Sequence, residues 1–240
     1  MPVDDHIAVI TLDRHSRRNA LNHELCRTIR RQVSEALEAG ARALVLTGAG
    51  TAFCAGADLD LGPESEGLYD EITATLACLQ NAPVPVVAAV NGPAVGAGTL
   101  LAMACDLRIV SERAWFKIPA VDVAIALDGV SVRAAERLFG GARARALLLA
   151  SETVSAAEAL ECGFALRSGE RDDACALARR LADKAPLTLR HLKAEFTHDG
   201  YAPYTEAERE RFRQAAANSE DLVEAAKARA EKRAPVFRGL

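Results

Sequence analysis

Residues 46–59 read LTGAGTAFCAGADL, and residues 91–110 read NGPAVGAGTLLAMACDLRIV. Each segment follows an apolar run, RALVLT at 42–47 and VVAAV at 86–90, and then fills with Gly and Ala. Residues that small let a ligand's carbonyl approach main-chain N–H groups closely. The second segment runs on into a short helical stretch, 98–104, and then into the strand-like LRIV at 107–110. A donor at that helix start also benefits from the positive end of the helix dipole. Strand, loop, helix and strand in this order imply βαβ crossovers, a parallel sheet and an α/β fold.

The pattern extends outward from there. Residues 6–12 read as a short strand and 22–39 as an amphipathic helix closed by Gly40. A polar helix over 66–80 leads through Pro83 and Pro85 into the 86–90 strand. From Asp128 onward the pattern is nearly all helical. Ser155-Ala156-Ala157-Glu158 has the form of a capping box and Gly163 that of a C-cap. Further helices are predicted over 172–185, 186–196, 203–218 and 221–232, the last two laced with charge and suited to a solvent or subunit face. Periodicity thus gives an α/β first part and a helical second part.

Composition removes several function classes. Of the 240 residues, 50% are hydrophobic and 26% charged, which excludes disorder. With 49 alanines and only 5% aromatics, the packing relies on small side chains. The formal charge of −4 lacks the basic surplus of a nucleic-acid binder. The six cysteines, at 26, 54, 78, 105, 162 and 175, form no CxxC pair and have no histidine at ligand spacing, so they read as small buried hydrophobes and no metal is expected. Met1-Pro2-Val3-Asp4-Asp5-His6 is acidic and carries no apolar signal core. The best membrane candidate, 84–105, is broken by Asn91-Gly92-Pro93 and falls short of about 18–20 uninterrupted apolar residues. The expectation is a cytoplasmic, reduced protein with no membrane span.

Familiar catalytic motifs are missing. The 92–98 loop has no GK[ST], and the third glycine of a GxGxxG motif would fall at Leu101. Neither GxSxG nor HExxH occurs. What the two small-residue loops offer together is a pair of main-chain N–H donors for one carbonyl, an oxyanion hole. One such donor is typically worth about 10²–10³ in rate.

These two segments, with Arg17-Arg18-Asn19-Ala20-Leu21-Asn22 ahead of them, resemble the signature elements of the crotonase, or enoyl-CoA hydratase/isomerase, superfamily, over about residues 6–165. The resemblance implies a ClpP/crotonase-like spiral of ββα units over 1–185 with a C-terminal helical trimerisation region over 186–240. It implies a homotrimer or dimer of trimers, and a coenzyme A thioester as ligand or substrate with no other cofactor. Carried over by position, the N–H groups of Ala57 and Ala97 would be the oxyanion donors, the second where the family usually has Gly. Arg17, Arg18, Ala55, Asp58 and Leu59 would hold the nucleotide end of coenzyme A. Glu66, Tyr69, Asp70 and Glu71 would lie in the segment that admits the acyl chain.

The chain departs from that family where hydration is done. Members that add water use two glutamates, one to deprotonate the water and one to protonate Cα; the matching positions here are Leu100 and Ala120. Such groups are worth roughly 10²–10⁴-fold each. Two apolar residues make an acyl pocket instead. AFCAGADL, NGPAVGAG, an apolar residue at 100, ALD at 126–128 and the terminal EKRAPVFRG together resemble a mycobacterial and actinobacterial subgroup implied to bind long-chain fatty acyl-CoA for fatty acid and mycolic acid synthesis without hydrating it, handing it to other synthesis proteins. The alternative is an active hydratase, isomerase or thioesterase-like enzyme using Asp128, which lies about where a dehalogenase branch places a nucleophile. Asp128 also reads as the N-cap of a helix starting at Gly129 or Val130. Asp122 is expected to point elsewhere, and His191 and His198 to lie on the surface.

Overall fold

The computed structural model describes residues 3–240; Met1 and Pro2, which open the N-terminal stretch read above, lie outside the described residues. In chain order the elements are β1 (Ile7–Leu12), α1 (His23–Glu38), β2 (Ala43–Gly48), α2 (Leu68–Asn81), β3 (Val86–Val90), β4 (Ala94–Val95), α3 (Ala97–Ala104), β5 (Leu107–Val110), β6 (Trp115–Lys117), α4 (Gly129–Phe139), α5 (Gly141–Leu149), β7 (Val154–Ser155), α6 (Ala156–Glu161), β8 (Arg167–Ser168), α7 (Arg171–Ala182), α8 (Pro186–Phe196), α9 (Glu206–Ala217) and α10 (Glu220–Glu231). Strands β1, β2, β3, β5 and β8 pair in that order, all parallel.

Every residue of β2 is buried, because the sheet is covered on both faces. Ala43, Val45, Val87 and Ala89 point to one side, where Ala174, Leu177 and Ala178 of α7 cover them. Their chain neighbours Leu44, Leu46 and Ala88 point to the other, into the core that holds Leu25, Cys26 and Ile29 of α1. Side-chain alternation thus divides one continuous apolar run between two cores. Helix α1 starts where the Asn22 side chain accepts from Leu25 N at 2.9 Å. It stops before Gly40, whose φ is +85°. The Ser155–Glu158 capping box forms at the start of α6.

A second sheet, β4-β6-β7, has no counterpart in the sequence reading. Strands of two or three residues are too short to show a hydrophobic period. The sheet matters for the site. Parallel pairing sets Val95 opposite Lys117, and Gly96 N donates to Lys117 O at 2.7 Å.

The C-terminal helices are fastened to the core through α8 and through the segment after it, where Tyr201 N donates to Gln80 at 2.8 Å and Tyr204 to Asn81 O at 3.0 Å. Lys193 is buried, and its Nζ donates to Leu79 O and Val84 O, each at 3.0 Å, and to the Asp106 carboxylate at 2.7 Å. Cys26, Cys54, Cys105 and Cys175 are buried, Cys78 and Cys162 half-buried. No helix among the described residues is long and apolar enough to cross a membrane.

Candidate functional site

The two Gly/Ala-rich loops meet. Cys54 pairs with Ala94 and Leu21 with Ala57 as isolated parallel bridges, and Val95 N donates to Cys54 O at 2.9 Å. A Cβ added at Gly98 would lie 2.2 Å from Cys54 O. One added at Gly56, whose φ is +101°, would lie 2.8 Å from Val95 O and 3.7 Å from Ala97 N. Only glycine allows approach this close. The meeting sets Ala57, next to Gly56, beside Ala97.

Both of these alanines keep a free donor. Among the described residues neither Ala57 N–H nor Ala97 N–H has an acceptor, whereas Asp58 N donates to Leu21 O at 2.9 Å and Gly96 N is held by Lys117 O. Ala97 is the first residue of α3, where an N–H has no partner inside the helix. The turn before it is made by Gly96 at φ +52°, so Ala97 itself stays out of the left-handed region. Alanine in place of the family's glycine therefore leaves the donor in place.

Two asparagines support the first loop. Asn19, fully buried with φ +58°, donates to Ala49 O and Ala52 O at 2.9 Å and to Phe53 O at 3.2 Å. Asn91 accepts from Gly48 N at 3.1 Å and donates to Gly50 O at 3.0 Å. Both sit in the quoted motifs, but their supporting role was not read there. The available signal was that Asn tolerates left-handed backbone and bonds nearby main chain. Thr99 supports the second loop, its hydroxyl donating to Ala94 O at 2.7 Å and Lys117 O at 3.1 Å.

The residues expected at the nucleotide end cluster around Asp58. Its buried carboxylate meets Arg14 at 2.5 Å and Arg17 at 3.5 Å and accepts from Asp60 N at 3.2 Å. Burial alone would raise its pKa, but the Arg14 hydrogen bond, the Asp60 N–H and the two guanidinium charges hold it below the usual value. Arg17, half-exposed, also reaches Asp60 at 3.1 Å. Arg18 lies exposed at φ +51°, its carbonyl accepting from Ala55 N at 3.0 Å. Leu59 is exposed. Arg14 was not singled out from the sequence, since its partner is 44 positions away.

Leu100 is buried in α3, one residue beyond Thr99, and Ala120 is buried three residues beyond Lys117. Neither position carries a charge. Asp128 does cap α4, accepting from Ser131 N at 2.8 Å. It also accepts from the Tyr69 hydroxyl at the start of α2, from Tyr201 at 3.2 Å and from the Ser131 hydroxyl at 3.3 Å. Burial pushes its pKa up, but these donors, Tyr69 first, outweigh it and the net shift is downward. Burial and the Asp128 contact push the Tyr69 phenol up to about 12. Asp122 faces Lys117 at 4.0 Å and Glu71 pairs with Arg27 and Arg30. His198 bonds Glu195 O at 3.0 Å and His191 lies 4.0 Å from the Glu195 carboxylate, both on or beside α8.

A sequence model of the enoyl-CoA hydratase/isomerase family matches residues 3–239. The chain belongs to this family. Among similar curated proteins is the Mycobacterium tuberculosis protein named "Probable enoyl-CoA hydratase echA6", 42% identical over 97% of this chain and 96% of its own length. The Mycobacterium leprae protein of that name is 41% identical over the same shares. Among solved structures, an enoyl-CoA hydratase/carnithine racemase from Magnetospirillum magneticum superposes with a TM-score of 0.85 at 30% identity, over 100% of this chain and 97% of that one. An enoyl-CoA hydratase from Bacillus anthracis does so at 0.85 and 29% identity, over 98% and 96%. The fold is thus the crotonase fold of the hydratase/isomerase family.

Proposed function

We propose that this family member binds fatty acyl-CoA thioesters and does not hydrate them. The observation that carries the reading is the coexistence of two unspent N–H donors, on Ala57 and Ala97, with buried apolar residues at both positions where hydrating members carry glutamates, Leu100 and Ala120. The donors take the thioester oxygen, Arg17 and Arg18 stand at the exposed rim for the nucleotide phosphates, and Leu100 and Ala120 face the acyl chain. Donors without an acid–base pair give binding and polarisation but no route for the water's proton. Asp128 does not replace that pair in this reading, because hydrogen bonds that hold a carboxylate ionised also lower its basicity. The names of the similar proteins point to enoyl-CoA, and the thioester is what the two readings share.

The test is incubation of the purified protein with trans-2-enoyl-CoAs of short, medium and long chain. Mass spectrometry reads added water, and gel filtration reads retained ligand. The expected result is no hydration above the uncatalysed control, with the enoyl-CoA eluting on the protein. Hydrated product well above control, lost in Asp128→Asn, would instead establish the enzyme reading.

A further inference from the structure

We infer that Thr99 is a positioning residue for the Ala97 donor: its hydroxyl ties the first turn of α3 to the strand ends beside it and so sets the direction of the Ala97 N–H. The inference rests on the acyl-thioester reading above. The donor lies in a turn made by Gly96, at φ +52° and ψ −119°, which caps α3 without a side-chain hydrogen bond. Gly96 N donates to Lys117 O at 2.7 Å, and Gly96 O accepts from Leu100 N at 3.1 Å. The peptide joining Gly96 to Ala97 is trans and planar. Fixing its carbonyl along the helix therefore turns the Ala97 N–H the opposite way, out of the helix end. Both of these ties are main chain. The side-chain tie comes from Thr99, which is fully buried and donates to Ala94 O at 2.7 Å and to Lys117 O at 3.1 Å.

The bond to Ala94 is of an unusual kind. A Thr hydroxyl in a helix ordinarily bonds a carbonyl three or four residues back. Ala94 is five back and belongs to β4, so the bond spans the Gly96 turn and closes it. Lys117 ends β6, and Val95 stands opposite it, so the second contact fastens the same helix turn to the neighbouring strand. Thr99 is also the one polar side chain of α3, whose residues from Leu100 to Ala104 are apolar and buried. A buried hydroxyl is costly unless it is bonded, and this one is bonded only to the two strands that flank the donor. Direction matters because a hydrogen bond weakens steeply once its angle falls below about 120°. A tilt of the Ala97 peptide would reduce its hold on a thioester oxygen while the N–H itself remained.

The experiment records the infrared carbonyl band of dodecanoyl-CoA, labelled with carbon-13 at the thioester carbon and bound to the full chain. The proteins are the wild type, Thr99→Val, Thr99→Ala and Thr99→Ser, with circular dichroism to check the fold; the Ala variant carries the comparison where the Val one does not fold. Calorimetric titration gives Kd for the same thioester and for coenzyme A. The expected wild-type band lies below that of the free thioester, the Val and Ala variants move it back toward the free position, and the Ser variant restores it. Thioester affinity should fall about threefold to tenfold in the Val and Ala variants, with coenzyme A unchanged. Folded Val and Ala variants that keep the wild-type band overturn the role of Thr99 and leave the thioester reading standing. A Ser variant displaced as far as the Ala one overturns it too, because the lost methyl and not the hydroxyl would then set the donor. A wild-type band at the free position, or no thioester binding, brings down the donor reading and this one with it.

Discussion

In the acyl-thioester reading, one backbone hydrogen at Ala97 separates a ligand site from an ordinary helix start. That hydrogen can be removed without removing the helix, because Ala97 is the first residue of α3 and proline is tolerated at that position. Ala97→Pro should therefore keep the fold and weaken dodecanoyl-CoA binding about 10–100-fold, the loss expected when a desolvated carbonyl goes without its donor. Coenzyme A without an acyl group has no thioester carbonyl and should bind as before. Titration of both ligands decides it: equal loss of the two would mean that the Ala97 donor faces something other than the thioester. The two small-residue loops were legible in the sequence because Gly and Ala after a strand, and an N–H opening a helix, have local physical signatures; the choice of Ala57 and Ala97 within them came from the family resemblance. The surroundings of Asp128 were not. Tyr69 and Tyr201 reach it from 59 and 73 positions away, and no local pattern encodes such a meeting.

Element by element, legibility follows length. Strands β3 and β5 and helix α8 fall on the predicted 86–90, 107–110 and 186–196, and α1 within a residue of 22–39. The short β4, β6 and β7 left no periodic trace, although they fix the second loop. Helix α4 shows how a single residue type carries two readings. Asp128 is its N-cap, and it is also the carboxylate on which the enzyme reading rests. Two substitutions separate these roles. Asp128→Ala removes the cap and should lower stability by about 0.5–2 kcal/mol, while Asn caps nearly as well as Asp and should preserve it. Thermal unfolding of both variants checks this. A variant Asn protein as unstable as the Ala one would show that the tyrosine contacts to the charge, and not the cap, hold the start of α4.

For the molecule as a whole, the issue is how the helical region over 186–240 is bound to the core. Lys193 was unremarked in the sequence because a lysine in a helix ordinarily reads as exposed. In the structure it reaches carbonyls and a carboxylate 87 to 114 positions earlier in the chain. Its Asp106 partner also accepts from Val86 N at 2.7 Å, so the contact joins α8 to the start of β3 and to the strand connection before β5. Removing one partner of a buried pair leaves the other charge without compensation, typically a loss of about 3–5 kcal/mol. Asp106 is partly open to water, which places Lys193→Ala toward the lower end. That loss is concentrated at one seam, so its signature is a change in cooperativity as well as in midpoint. The wild type should unfold in one transition, and Lys193→Ala in two, with the 186–240 helices released first and the loops that carry Ala57 and Ala97 still folded. Limited proteolysis across a urea series reads this directly, as cleavage near Lys184 before any loss of β-sheet signal. A single transition shifted as a whole would mean instead that the C-terminal helices and the core are one cooperative unit, held by the packing of α8 more than by this charge.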